Sequence, residues 1–127
     1  MKLKDVKELL QARVLTGEDL LDREVETCCG SDLMSDVLAF TKRRTLLCTG
    51  LTNLQVIRTA DMTDLCALII VRGKIPNEEI LAAAKENALP VLATKHTLFE
   101  ACGILYQAGV QGCSCLLYTS PSPRDRG

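Results

Sequence analysis

Three short segments of the sequence combine hydroxyl groups, glycine and positive charge, the groups that proteins use to bind phosphate and other small anions. The first contains Thr49, Gly50, Thr52 and Asn53, the second Arg72, Gly73 and Lys74, and the third Thr94, Lys95, His96 and Thr97. Each segment follows an apolar run and leads into a helical pattern. The pattern predicts a site for a nucleotide phosphate or another anion. Alternatively, these loops are polar only because they cap helices, and both interpretations stay open.

The sequence offers no catalytic constellation, so we expect no catalytic residue and a protein that is not an enzyme. His96 is the only histidine and could serve as a general base, but no partner carboxylate or nucleophile can be inferred beside it. Ser35 has no evident base. Neither the G-x-G-x-x-G fingerprint nor the P-loop pattern occurs, which argues against dinucleotide and P-loop binding.

Metal and cofactor sites are not expected either. Cys28 and Cys29 are adjacent on a predicted strand, where neighbouring side chains point to opposite faces, so they rarely share one ion. No C-x-x-C pair occurs, which argues against zinc and iron–sulfur sites. Asp32 and Asp36 could hold Mg²⁺, but an exposed acidic turn explains them equally simply.

Composition excludes several other classes of function. The 127 residues suffice for one domain, and 47% of them are hydrophobic. A net charge of -1 and 3% aromatic residues give no support for nucleic-acid binding. No apolar run is long enough to span a bilayer, and no signal peptide is evident. We therefore expect a cytoplasmic protein with reduced cysteines, no membrane partner and no nucleic-acid partner.

Alternating strand and helix patterns must position these segments. Strands are predicted at 24–30, 45–50, 66–71 and 91–94, and helices begin near residues 3, 32, 51, 76 and 98. Asn77 could cap the fourth helix, Asn87 could end it in a left-handed conformation, and Thr97 with Glu100 forms a capping box. Strands separated by helices pair in parallel, so we expect a three-layer α/β/α domain with a mainly parallel sheet.

The chain resembles the DRTGG domain family over roughly residues 1–112. The resemblance rests on "SDLMSDVLAF", on "LLCTGLTNLQVIRTADM" and on "CALIIVRGKIPNEEILAAAKENALPVLATKHTLFEACGILYQAG". The opening "ARVLTGEDLLDREV" is also similar to the N-terminal domain of HPr kinase/phosphorylase, whose kinase domain and P-loop are absent here. The family's namesake string does not occur, and Gly50-Leu51-Thr52 stands where many members have Gly-Asp-Arg.

The resemblance implies a regulatory domain that self-associates as a homodimer. The chain is similar in particular to the stand-alone DRTGG proteins that are encoded beside hydrogenase or other redox-enzyme subunits. This similarity implies a redox-enzyme partner. Three hypotheses follow: a sensor of a nucleotide or other anion, an interaction scaffold without a small ligand, and a small enzyme acting at the strand-end loops.

The last residues differ in character from the rest. Residues 113–127 are predicted to form a disordered tail outside the DRTGG-like domain of residues 1–112. The string "CLLYTSPSPRD", residues 115–125, equals the translation of a transposase sequencing adapter. We therefore expect the sequence from Cys115 onward to be non-native and exclude it from fold reasoning.

Overall fold

The computed structural model describes residues 1–40 and 44–112, with the side chain of Phe40 left out. Five helices and six strands alternate along these residues, with one 3-10 turn at Glu18–Leu20. The helices are α1 (Leu3–Leu9), α2 (Met34–Phe40), α3 (Leu54–Met62), α4 (Glu78–Glu86) and α5 (Leu98–Gln107). The strands are β1 (Arg13–Thr16), β2 (Thr27–Gly30), β3 (Thr45–Thr49), β4 (Leu65–Ile70), β5 (Val91–Ala93) and β6 (Gln111–Gly112). The predicted tail of residues 113–127 lies outside the described residues.

The six strands form one sheet in the order β1-β5-β4-β3-β2-β6. Every neighbouring pair is parallel except β1 with β5, which is antiparallel. The central strands β3 and β4 are buried along their whole length, as strands covered on both faces must be. The predicted mainly parallel α/β sheet is confirmed.

Two hydrophobic clusters show the three layers. On one face α1 and α5 pack against sheet residues such as Leu46 and Ile69. On the other face α2, α3 and α4 pack against Leu47, Leu68 and Ile70. Successive residues of β3 and β4 therefore supply opposite cores, as the period-two alternation of strands requires.

Local signals placed the helix ends well, with one exception at the end of α4. Asn77 caps α4 through a 2.9 Å hydrogen bond from the Ile80 amide, and Thr97 and Glu100 form the predicted capping box of α5. The left-handed stop predicted at Asn87 is wrong by one residue, because Ala88 adopts the positive φ of 52°. Strand β1 was not predicted at all.

Within the described ranges, no helix combines the length and the apolar character needed to cross a membrane.

Candidate functional site

The three polar segments of the sequence lie side by side at one edge of the sheet. They follow β3, β4 and β5, which are neighbours, and the carboxyl ends of parallel strands meet at the same edge. The backbone extends the pairing beyond the strands: the Arg72 amide donates to the His96 carbonyl at 2.8 Å, and the Gly73 amide donates to the Thr94 carbonyl at 2.8 Å. The structure divides the segments between two separate places at this edge.

The first place is a polar cluster at the end of β3, formed by Asp32, Thr49, Gly50, Arg72 and Lys74. Asp32 Oδ1 accepts hydrogen bonds from the Gly50 amide at 2.7 Å and from Thr49 Oγ1 at 2.8 Å. The hydrogen bond from Gly50 is the main cause that lowers the pKa of the Asp32 carboxyl below its usual value. Partial desolvation opposes this shift, while the Thr49 hydroxyl and the charges of Arg72 and Lys74 add to it.

Both basic side chains of the second segment point towards Gly50. Lys74 Nζ donates to the Gly50 carbonyl at 3.2 Å. A Cβ atom added to Gly50 would lie 2.9 Å from Nη2 of Arg72, so the guanidinium group rests directly on this glycine. The cluster therefore holds two cations against one carboxylate, and its backbone amide and hydroxyl donors are already engaged by Asp32.

The second place is an open cavity of about 560 Å³ between the end of β5, strand β1 and the end of α1. We call it the basic cavity. Its lining residues are Leu10, Gln11, Arg13, Gly73, Ile75, Ala93, Thr94, Lys95 and His96. Arg13 and Lys95 are cations, and none of the described residues that line the cavity is a carboxylate. A cavity with this charge composition favours an anionic ligand.

Hydrogen bonding within the protein uses several of the hydroxyl and amide groups that were predicted to bind a ligand. Thr94 Oγ1 donates to the Leu10 carbonyl at 2.7 Å and accepts from the His96 amide at 3.3 Å. Asn53 accepts from the Val56 amide at 3.3 Å and so caps α3. The helix-capping interpretation thus accounts for Asn53, as it does for Thr97, whereas Thr52 is half-buried in the loop before α3.

His96 lies beside an acidic residue that is itself part of a cap. Its Nδ1 atom is 3.7 Å from Glu100 Oε1, one helical turn along the chain. Glu100 Oε1 also accepts the Thr97 amide hydrogen bond at 3.0 Å, which is the main cause that lowers the pKa of the Glu100 carboxyl. The pair extends the capping box of α5, and His96 is at the same time one of the residues that line the basic cavity.

Sequence reasoning missed three residues of this edge. Gln11 and Arg13 reach the basic cavity because β1 pairs with β5, and that strand was not predicted. Asp32 was interpreted as a Mg²⁺ ligand or as part of an exposed acidic turn, but its carboxylate accepts hydrogen bonds from Thr49 and Gly50 instead. The available signal was its position just after β2, whose carboxyl end lies beside that of β3.

A separate cluster on the α1 and α5 face brings together the sulfur atoms of Cys28, Cys48 and Cys102. We call it the thiol triad. All three sulfur atoms lie within 4.8 Å of one another, and those of Cys28 and Cys48 are 3.7 Å apart. Hydrogen bonds from Cys28 and Cys48 lower the pKa of the Cys102 thiol well below its usual value, and the contact with Cys102 raises the pKa values of the other two. Cys29 packs in the opposite core, as predicted for adjacent strand residues.

These features define a three-layer α/β domain with a basic cavity at the carboxyl edge of its sheet. The family model of the DRTGG domain matches residues 5–108, and the chain belongs to this family. No curated protein matches the chain.

A solved structure shares the fold: the CBS and DRTGG domains of the regulatory region of Clostridium perfringens pyrophosphatase, complexed with its activator, diadenosine tetraphosphate. The two chains are 18% identical with a TM-score of 0.67, and the match covers 98% of this chain. It covers 56% of the pyrophosphatase chain, so the present chain corresponds to little more than half of that regulatory region.

Proposed function

We propose that this chain is a non-catalytic regulatory domain that binds a nucleotide or another anionic ligand in the basic cavity. The observation that carries the proposal is the charge composition of the cavity: its described lining includes Arg13 and Lys95 and no carboxylate. Its volume of about 560 Å³ falls within the range of small-ligand sites. The solved relative with the same fold comes from a regulatory region that was complexed with a dinucleotide activator, which supports a ligand of this class.

The two cations face an open cavity, and their exposure to water limits how strongly they attract an anion. Arg13 and Lys95 are exposed, so each attracts an anion through a largely aqueous medium, and salt screens the attraction. A phosphate group placed between them can accept hydrogen bonds from both, with the bidentate geometry of Arg13 adding orientation. The apolar residues Leu10, Ile75 and Ala93 offer a surface for the uncharged part of a nucleotide.

Thermal unfolding with a panel of nucleotides tests this proposal. The panel contains mononucleotides, diadenosine tetraphosphate and inorganic phosphate, because a ligand that binds only the native state raises the unfolding temperature. At about 100 times its dissociation constant a ligand adds about 2.7 kcal/mol to the free energy of unfolding. We expect a shift with at least one nucleotide, weakened by added salt. The absence of any shift across the panel would refute ligand sensing in its nucleotide form.

Four variants locate the site. Arg13→Ala and Lys95→Ala should each reduce the shift, since both residues line the basic cavity. Lys85→Ala is the matched control, because Lys85 is an exposed lysine in the last turn of α4 and does not line the cavity. If instead Lys74→Ala abolishes the shift while Arg13→Ala preserves it, the ligand binds at the polar cluster of Asp32 and the basic cavity is the wrong site.

The family resemblance supports two further parts of the proposal: the domain forms a homodimer, and it associates with a redox enzyme such as a hydrogenase. A mass of two chains by light scattering is the expected result for the first part, and a monomer would contradict it. Co-expression with the subunits of a hydrogenase tests the second part, with a stable complex after gel filtration as the expected outcome.

A second candidate function, an interaction module without a small ligand, is favoured by the surface of α5. Phe99 is 87% exposed and Tyr106 is 74% exposed, although large aromatic side chains usually gain from burial. A chain of this kind shows no thermal shift with any nucleotide, and replacing both aromatic residues by serine abolishes its self-association.

A further inference from the structure

Three elements distant in sequence bring the thiol triad together. Cys28 on β2 and Cys48 on β3 lie on the same face of the sheet, because Cys48 pairs with Gly30, two residues beyond Cys28. Helix α5 packs over this face and brings Cys102 to the same point. The three sulfur atoms thus converge from two strands and a helix, although 20 residues separate the first two cysteines and 54 the last two.

We propose that Cys28, Cys48 and Cys102 bind one thiophilic metal ion, Zn²⁺ or Cu⁺, through their three sulfur atoms. This site is independent of the basic cavity and of the proposed nucleotide. On binding, each coordinating thiol loses its proton to solvent and forms a sulfur–metal bond, and no electron is transferred.

The spacing of the sulfur atoms fits such an ion. Two sulfur ligands of a tetrahedral zinc ion lie about 3.8 Å apart, given zinc–sulfur bonds of about 2.3 Å. The separation of 3.7 Å between the Cys28 and Cys48 sulfur atoms is close to this spacing. Because no pair in the triad is further apart than 4.8 Å, the remaining pairs need to close by about 1 Å at most.

Gly30 makes room for the third sulfur atom. A Cβ atom added at this position would lie 2.5 Å from Sγ of Cys102, closer than real Cβ contacts allow. The absence of a side chain on β2 at residue 30 therefore lets Cys102 approach the sheet beside Cys28. Cysteine also packs well as a small hydrophobe, but that role requires only burial and not the convergence of three sulfur atoms.

The residues around the thiol triad favour a soft metal ion, and they leave the site accessible from solvent. Cys28 and Cys102 line an open cavity of about 350 Å³ with Phe99, Gly103, Tyr106 and Val110. Among the described residues that line this cavity there is no carboxylate, the ligand that Mg²⁺ and Ca²⁺ favour, and no imidazole that would complete a mixed site. Thiolate ligands alone favour Zn²⁺ and Cu⁺. The cavity provides the path from solvent and space for a water molecule as the fourth ligand of zinc.

Metal titration of the full chain, purified under a reductant, tests the site. Zn²⁺ and Cu⁺ are titrated separately against a chromophoric chelator, and bound metal is counted per chain after gel filtration. We expect one equivalent of at least one of the two ions, and the ion that binds more tightly identifies the class. Cobalt(II) as a probe should give thiolate-to-metal charge-transfer absorption. Absence of a stoichiometric ion from folded protein would overturn the proposal, as would a Cys28–Cys48 disulfide in the reduced preparation.

Matched variants show which sulfur atoms bind the ion. Cys102→Ala should weaken binding by about tenfold or more, and Gly30→Ala should weaken it by about tenfold while retaining every thiol. Cys66→Ala is the control, since Cys66 is a buried cysteine of β4 outside the triad. A Cys113→Ala/Cys115→Ala variant should bind as the wild type does. Wild-type affinity in Cys102→Ala, or loss of binding in the Cys113/Cys115 variant, contradicts the assignment; circular dichroism verifies that each variant is folded.

Discussion

The carboxylate of Asp32 accepts the hydroxyl hydrogen bond of Thr49 at 2.8 Å and ties the segment after β2 to the end of β3. The same oxygen atom accepts the Gly50 amide, so one side chain engages two donors at the strand end. In a parallel sheet these donors would otherwise be available to a ligand anion. Asp32 therefore acts as an internal anion at this position, which favours the basic cavity over the end of β3 as the site of the proposed ligand.

Replacement of Asp32 by alanine should lower the free energy of unfolding at neutral pH by about 1 kcal/mol. Two hydrogen bonds to a charged acceptor are lost, and the exposure of the side chain reduces their net value. Urea denaturation of the wild type and the variant measures the difference. Asp36→Ala is the control, because Asp36 is an acidic residue in the first turn of α2 and lies outside the hydrogen bonds that Asp32 makes to Thr49 and Gly50.

The difference in the free energy of unfolding between the wild type and Asp32→Ala should depend on pH. The pKa of Asp32 is lower in the folded protein than its usual value of 3.8, so the carboxylate stabilises the fold fully above that pH. As the pH falls below 3.8 towards the folded pKa, this contribution is lost. The stability difference between wild type and Asp32→Ala should therefore shrink in acid. A difference that stays constant from neutral pH down to about pH 2 would contradict the assigned hydrogen bonds.

Two leucine substitutions compare a buried position on the sheet with an exposed position on a helix that covers it. Leu47 on β3 is fully buried, whereas Leu38 on α2 is 45% exposed. Leu47→Ala should lower the free energy of unfolding by about 2–5 kcal/mol, because it removes apolar contacts and leaves a cavity. Leu38→Ala should cost clearly less. Equal losses in urea denaturation of the two variants would be inconsistent with the two-sided burial of β3.

The parts of the fold that local sequence determines could be predicted. Strand β4 is a continuous apolar run, and Asn77, Thr97 and Glu100 carry capping signals that require only neighbouring residues. Strand β1 was missed because its four residues gain their order from antiparallel pairing with β5, which lies about 75 residues away. Strand β6 has only two residues and depends in the same way on β2.

In the candidate sites, too, the features that depend on local sequence could be predicted and those that depend on long-range contacts could not. The three loops were predicted to meet because parallel strands place their carboxyl ends together. Which hydroxyl groups remain available was not predictable, since Thr49 and Thr94 are engaged by Asp32 and by the Leu10 carbonyl. The thiol triad has no local motif at all, because strand register and the position of α5 create it.

Replacement of Thr97 by alanine should destabilise the protein by about 1 kcal/mol. Its hydroxyl accepts the Glu100 amide hydrogen bond at 3.2 Å, and α5 then begins with an unsatisfied donor. Thr97→Ser keeps the hydroxyl group and should retain most of the stability. Thermal or urea unfolding measures both variants, and a serine variant as unstable as the alanine variant would show that packing of the methyl group, rather than the cap, is responsible.

Replacement of Thr94 by valine should affect both stability and ligand binding. The buried Thr94 hydroxyl donates to the Leu10 carbonyl at 2.7 Å and so fixes the end of α1 against the end of β5. Valine keeps the shape but leaves that carbonyl without its donor, at a cost of about 1–3 kcal/mol. Because Leu10 and Thr94 both line the basic cavity, any nucleotide-induced thermal shift should also become smaller.

Thr52→Val is the matched control, since Thr52 is half-buried and does not line the cavity. It should retain the ligand-induced shift at nearly wild-type stability. If Thr94→Val loses stability but keeps the full shift at a matched fraction of folded protein, the hydrogen bond supports the fold without shaping the cavity. If its stability is unchanged, the Leu10 carbonyl has found another donor, and the junction of α1 and β5 does not depend on Thr94.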